Sequence, residues 1–302
     1  MAQAKSIEFT VTTPGKIILC GEHAVVYDKL ALAASIDLLT EIKVAVHHKP
    51  LITIYLDTLE YQWSVSPDVL LSQVSASSSL NHDLNQLNPQ LVDHLKLIIP
   101  DGNPAVRASL LCICYLYCSV VGRPVGFDLR IGSAIPVGAG CGSSAALSVA
   151  VSAAFHVLHH LASNSNDQYV RNDTAINQWA FQCERIFHAT PSGIDNAVCT
   201  YGGIVKYQKK KVVESVVIPE ARILLINTQV SRQTKLLVQS VRHRCNRFPT
   251  VVDPILQAID QLSHQLAEII QQPPENNYKS IQVGIITLNS MFSKLNNIYI
   301  IL

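Results

Sequence analysis

Three glycines at alternate positions, Gly138, Gly140 and Gly142, punctuate the run PVGAGCGSSAALS that begins at Pro136, and the chain then continues into a long stretch of Ala, Ser, Val and Leu. Few local structures accept that pattern. Glycines at every second position let successive N–H groups converge on one anion, and a helix starting immediately afterwards adds the partial positive charge of its N-terminus. Ser143 and Ser144 supply an N-cap and a hydroxyl able to reach a phosphate or its cation. The segment therefore predicts a nucleotide-phosphate cradle followed by a buried helix of small residues. It is not a Walker A loop, because no Gly-Lys-Ser/Thr closes it, and the third glycine comes one residue early for the dinucleotide fingerprint.

The chain of 302 residues can bury one large or two moderate cores, and two domains are expected. With 23 Lys and Arg against 22 Asp and Glu, the net charge of +1 creates no field that would favour nucleic acid. The eight cysteines lack CxxC spacing and sit in apolar runs, so they read as reduced, buried thiols of a cytoplasmic protein. The closest three, Cys112, Cys114 and Cys118, lie among Leu, Ile and Tyr with no further metal ligands, which assigns them to core packing. The opening MAQAKSIEFTV has no apolar signal core, and the apolar stretch from Ala145 to Ala162 carries three His and suits a buried helix better than a membrane span. No membrane partner is expected.

Alternating or β-branched runs at Ile7–Val11, Glu41–His47, Leu51–Leu56, Gly126–Ile131, Ile204–Tyr207, Val212–Val217 and Arg222–Asn227 predict strands. Helices are expected over Pro104–Val121, after Gly142, and over Thr174–Phe187, where Ala175, Ile176, Trp179, Ala180, Cys183 and Phe187 share one arc. Strands and helices mix without a strict βαβ rhythm, so the class is α+β. The polar stretch Val69–Pro100 reads as an exposed helical or looped insertion, and Lys209–Lys211 as a solvated hairpin turn. Pro219 marks the expected boundary between a domain over residues 1–219 and a second over 220–302.

Two more clusters carry chemistry. In Pro14-Gly15-Lys16-Ile17-Ile18-Leu19-Cys20-Gly21-Glu22-His23, a cation, a carboxylate and an imidazole gather around an apolar strand and a glycine turn. Farther on, Glu184 lies at the edge of the Thr174–Phe187 arc, about 40° beyond Ala180 at roughly 100° per residue, where a carboxylate faces a cleft or a partner. The turn Pro191-Ser192-Gly193-Ile194-Asp195 then aims Asp195 from a constrained loop, suited to a base or a metal ligand.

KIILCGEHAVV, PVGAGCGSSAALS and ERIFHATPSGIDNAVCTYGG, in this order, resemble the motifs of the GHMP small-molecule kinases, and the first and last resemble the members that phosphorylate mevalonate. The similarity runs from about Phe9 to about Gln282. It implies a two-domain fold with an N-terminal domain like ribosomal protein S5 domain 2 and an incomplete ferredoxin-like C-terminal domain. It implies ATP and Mg²⁺ as cofactors, mevalonate as substrate, a place in isoprenoid and sterol biosynthesis, and a homodimer where the C-terminal part folds. By the same resemblance Lys16 and Asp195 would be catalytic. Lys16, Ser133, Gly138, Ala139, Gly140, Cys141, Gly142, Ser143 and Ser144 would bind the nucleotide, and Ser144 and Glu184 would hold the metal. Glu22, His23, Ser192, Arg232 and Thr234 would surround mevalonate. Cys141, Cys183 and Ala189 depart from the family pattern in ways expected to touch packing more than chemistry.

Beyond Val283 the resemblance stops. The tail GIITLNSMFSKLNNIYIIL lacks the second glycine-rich loop of the family, and Ile298–Leu302 reads as a divergent terminus. A chain of this kind would be either a kinase or a catalytically impaired, truncated form that acts only as a nucleotide-binding or partner subunit.

Overall fold

The computed structural model describes residues 7–21, 24–76, 84, 86–163, 167–188, 191–209, 211–216, 224–227, 234–271 and 298–301. They gather into two compact units that interleave along the chain: Met1–Gly15, Asp37–Ile135 and Ser143–Pro191 form the first, and Lys16–Ile36, Pro136–Gly142 and Ser192–Leu302 the second. The boundary expected at residues 219 and 220 lies outside the described residues. Two long strands that pair with each other, β1 (Ile7–Cys20) and β2 (Ala31–His47), carry the chain from one unit into the other.

In the first unit, β3 (Ile52–Leu56) and β4 (Tyr61–Val65) form an antiparallel hairpin, with Glu60 left-handed at φ 50° in the turn. In the sheet β3 lies between β4 and the next strand, so no tight turn can join them, and the chain crosses over through three helices, α1 (Pro67–Ala76), α2 (Pro89–Ile98) and α3 (Pro104–Leu116). It returns as β5 (Gly126–Ser133), parallel to β3 and antiparallel to the second half of β2. Asn88 and Asn103 cap α2 and α3 by accepting from the amides of Leu91 and Ala105, each followed by a proline in the first turn.

The helix expected after Gly142 is α4 (Ser143–Ala162), and it packs extensively on α5 (Asp173–His188). Its alanines are the reason: Ala146, Ala150 and Ala154 are fully buried and let the backbones approach. Behind them Tyr117, Phe127 and Phe155 meet in tilted and edge contacts, with ring centroids 5.7–6.1 Å apart. Each such ring, fully removed from water, contributes on the order of 2–3 kcal/mol. Pro104–Val121 and α4 are both long and apolar enough to cross a membrane, and both are largely buried inside this core.

The described parts of the stretch Val69–Pro100 form α1 and α2, as the helical reading expects, but they are not exposed throughout. Leu70, Leu91, Val92, Leu95 and Ile99 are buried in the same core, so a few apolar residues at helical spacing outweigh their polar neighbours. Seven of the eight cysteines are buried and all are free thiols. Burial pushes the Cys114 and Cys183 thiols well above the usual range and Cys118 up to about 12, which keeps them unreactive.

In the second unit, the first half of β2 pairs antiparallel with β6 (Ile204–Gln208). β6 turns through Lys209, at φ 52°, into β7 (Lys211–Val216), the basic hairpin the sequence suggests. Helix α6 (Ile194–Tyr201) precedes this hairpin, and β8 (Leu224–Asn227), α7 (Thr234–Arg247) and α8 (Pro249–Ile270) follow it. The apolar tail is a strand here: β9 (Ile298–Ile301) runs antiparallel to β8, Leu224 opposite Ile301 and Asn227 opposite Ile298. Leu256, Ile259 and Leu266 of α8 pack against Ile17, Leu19 and Leu32 of β1 and β2, and Asp260 accepts a 2.7 Å hydrogen bond from the amide of Leu30.

Candidate active site

Within the second unit, the lysine strand, the glycine loop and the start of α6 meet at Lys16. This residue is only 5% exposed, and its ammonium lies 3.0 Å from Oδ1 of Asp195. Its backbone N–H donates to the carbonyl of Cys141 at 3.0 Å, which ties β1 to the loop. Gly138, Gly140 and Gly142 all have positive φ, at 77°, 80° and 75°, the left-handed region that a side chain disfavours. At Gly142 there is a second constraint, since a Cβ there would come within 2.7 Å of Cγ of Lys16. The loop is thus shaped around the lysine stem.

Asp195 does not sit in the loop itself. Gly193, at φ 89°, turns the chain, Ser192 Oγ accepts from the amide of Ile194, and Asp195 falls in the first turn of α6. A carboxylate at a helix N-terminus is complementary to the partial charge there. Tyr207 from β6 donates to the carbonyl of Ser192 at 2.8 Å and fixes the turn.

In the first unit, a second cluster joins α4 to α5. Glu184 is 2% exposed, and its two carboxylate oxygens accept from Ser144 and Ser148, each at 3.4 Å. Ser144 Oγ also lies 3.1 Å from Nε2 of His188. Ser143 and Ser144 stand in the first turn of α4, immediately after the loop in sequence. Sequence reasoning singled out Ser144 and Glu184 but missed Ser148 and His188. The signal was a spacing of four within each helix, Ser144 to Ser148 and Glu184 to His188, which puts each pair on one face.

A buried carboxylate loses heavily when a hydrogen-bond donor is removed. Ser148→Ala is therefore expected to lower stability by about 1–3 kcal/mol, because Ser148 is fully buried and serves one oxygen of Glu184. Urea unfolding of the two proteins checks this, and a difference under about 0.5 kcal/mol, the range of ordinary surface changes, would contradict it.

The remaining expected site residues are described only in part. The Ser133 hydroxyl is engaged at the end of β5, bonded with Thr40 at 2.9 Å and accepting from the amide of Ile135. Thr234 opens α7, while Glu22, His23 and Arg232 lie outside the described residues. Among the described residues no group of three or more His, Cys, Asp or Glu could hold a metal ion.

Residues 108–203 match the family model described as GHMP kinases N terminal domain, a class of small-molecule kinases. The mevalonate kinase of Bos taurus is 36% identical over 292 residues, covering 90% of this chain and 73% of that protein. The Homo sapiens mevalonate kinase is 35% identical, covering 88% and 70% respectively. Among solved structures, Methanococcus jannaschii mevalonate kinase superposes with a TM-score of 0.70 at 20% identity, over 97% of this chain and 81% of that one. The L. major mevalonate kinase in complex with R-mevalonate gives 0.62 at 21% identity, over 96% and 77%. The chain belongs to the mevalonate kinase family.

Proposed function

We propose that this protein transfers the γ-phosphoryl group of ATP to the primary hydroxyl of mevalonate. The observation that carries the reading is the pairing of buried Lys16 with half-buried Asp195 at 3.0 Å, the lysine held against a loop of three left-handed glycines by its amide. Phosphoryl transfer needs positioning and charge neutralisation more than covalent help. The loop from Gly138 to Ser144 offers N–H groups and a helix N-terminus to the nucleotide phosphates. Asp195 accepts the proton of the attacking hydroxyl. Lys16 favours the developing alkoxide and offsets charge on the phosphoryl group in flight. Glu22, His23, Ser192, Arg232 and Thr234 would contact mevalonate, as the family resemblance suggests.

The donor set of Ser144 and Glu184 fits Mg²⁺. Both give oxygen, and a hard cation of this size is commonly held by one or two carboxylates together with substrate phosphates rather than by an all-protein cage. Bound there, it would neutralise phosphate charge. Free, buried thiols suit a cytoplasmic setting.

An assay coupling ADP release to NADH oxidation, with mevalonate and Mg·ATP, tests the proposal against an Asp195→Ala control. Turnover is expected only in the native protein. Equal rates in both would remove the kinase reading, and preference for galactose, homoserine or phosphomevalonate would remove the substrate.

A further inference from the structure

We infer that His188 is a positioning residue for the metal site, accepting the hydroxyl proton of Ser144 so that the oxygen lone pairs of Ser144 and Glu184 are left to the cation. The inference rests on the reading of Ser144 and Glu184 as metal ligands. It begins from a hydrogen-bond count. A serine hydroxyl has one proton and two acceptor sites. When its oxygen gives a lone pair to a cation, the O–H must still point at an acceptor. Among the described residues two lie within reach of Ser144: Nε2 of His188 at 3.1 Å and Oε2 of Glu184 at 3.4 Å. The second is poorly suited, because a proton shared with Oε2 draws away electron density that the carboxylate owes the metal. Glu184 Oε1 is already served by Ser148. The imidazole is nearer to Ser144 than to the carboxylate, whose Oε2 is 3.8 Å from the same nitrogen.

The helices dictate this arrangement. His188 follows Glu184 by one turn on α5, and Ser144 stands in the first turn of α4, which packs along α5. The ring therefore reaches Ser144 from the same helix that supplies the carboxylate. The role requires the tautomer with hydrogen on Nδ1. The opposite tautomer would make Nε2 a donor, fill one of the two acceptor sites of Ser144 and send its proton back to Oε2 of Glu184. Partners of this kind, one bond removed from a metal, orient the ligands and are worth about 10–100-fold in metal affinity.

The probe is Mn²⁺ binding to the full chain by electron paramagnetic resonance in the presence of a non-hydrolysable ATP analogue, which needs no turnover. The His188 side chain is 58% exposed, so substitution should leave the fold intact. His188→Leu is expected to weaken Mn²⁺ binding about 10–100-fold, and His188→Gln, which keeps an acceptor, to recover most of the loss. In a Ser144→Ala background, His188→Leu should have no further effect, since its action passes through the hydroxyl. Native Mn²⁺ affinity in His188→Leu, equal damage from Leu and Gln, or an undiminished effect in the Ser144→Ala background would each overturn the assignment. If the native protein binds no Mn²⁺ with the analogue, or Glu184→Gln binds it as well as the native protein, the metal-ligand reading itself fails and the His188 role falls with it.

Discussion

Lys16→Met is expected to cut turnover by about 10²–10³-fold or more, the scale on which one preorganised charge contact acts in a transition state, while nucleotide affinity changes only modestly. The substitution keeps the length and apolar stem that fill the space beside Gly142, and deletes only the ammonium 3.0 Å from Asp195. Fold and loop should survive, because the partner carboxylate is 35% exposed and water can solvate it once the pair is gone. The measurement is a pair: kcat from the ADP-release assay, and affinity from titration of a fluorescent nucleotide. A loss of transition-state stabilisation appears in kcat and kcat/KM alike. A loss confined to nucleotide affinity would reduce Lys16 to a phosphate contact.

Gly142→Ala has two physical consequences where most glycine substitutions have one. An alanine at φ 75° costs about 1–2 kcal/mol of backbone strain. Its methyl would also stand 2.7 Å from Cγ of Lys16, in the middle of the stem, so the lysine must move. Misplacing a reacting group by about 1 Å costs about 10²-fold in rate, and kcat is expected to fall by that order. Gly138→Ala is the informative comparison. Its φ of 77° carries the same backbone strain, but a Cβ there meets nothing within 4 Å. The fall in kcat for Gly142→Ala should exceed that for Gly138→Ala by at least about 10-fold at similar loss of stability. Equal losses would show that backbone strain, not the contact with Lys16, governs the loop.

The parts of this architecture that read directly from the chain are those where one residue type alone fits. Alternate glycines free the backbone to curl, and the structure uses that freedom with left-handed φ at all three. Glu184 at the margin of an apolar arc is buried, as its position on α5 implies. The first half of β2 was harder to read. Ala31, Leu32 and Ala33 are all fully buried, so no alternation between apolar and polar marks the strand. Helix α8 has the right period, with Leu256, Ile259, Ser263, Leu266 and Ile270 buried, but a buried serine and a proline at position 254 obscure it. Asp195 looked like a loop residue because α6 has only eight residues and starts behind Pro191 and Gly193. Ser148 and His188 escaped notice for another reason. Their hydrogen-bond partners include residues 36 and 44 positions away, and only the packing of α4 on α5 reveals them.

The interleaving of the two units bears on how the chain is made. A ribosome releases β1 and β2 early, yet the part of β1 that bears Lys16 and the glycine loop belong to a unit whose remaining segments begin only at Ser192. Asp195 emerges 179 residues after Lys16, and Asp260, which holds Leu30, later still. At about 5–20 residues per second, the lysine strand waits on the order of ten seconds or more for its carboxylate. During that interval Ile17 and Leu19 have no α8 to cover them. Nascent chains arrested before α8 should therefore bind holding chaperones more strongly than chains arrested after it.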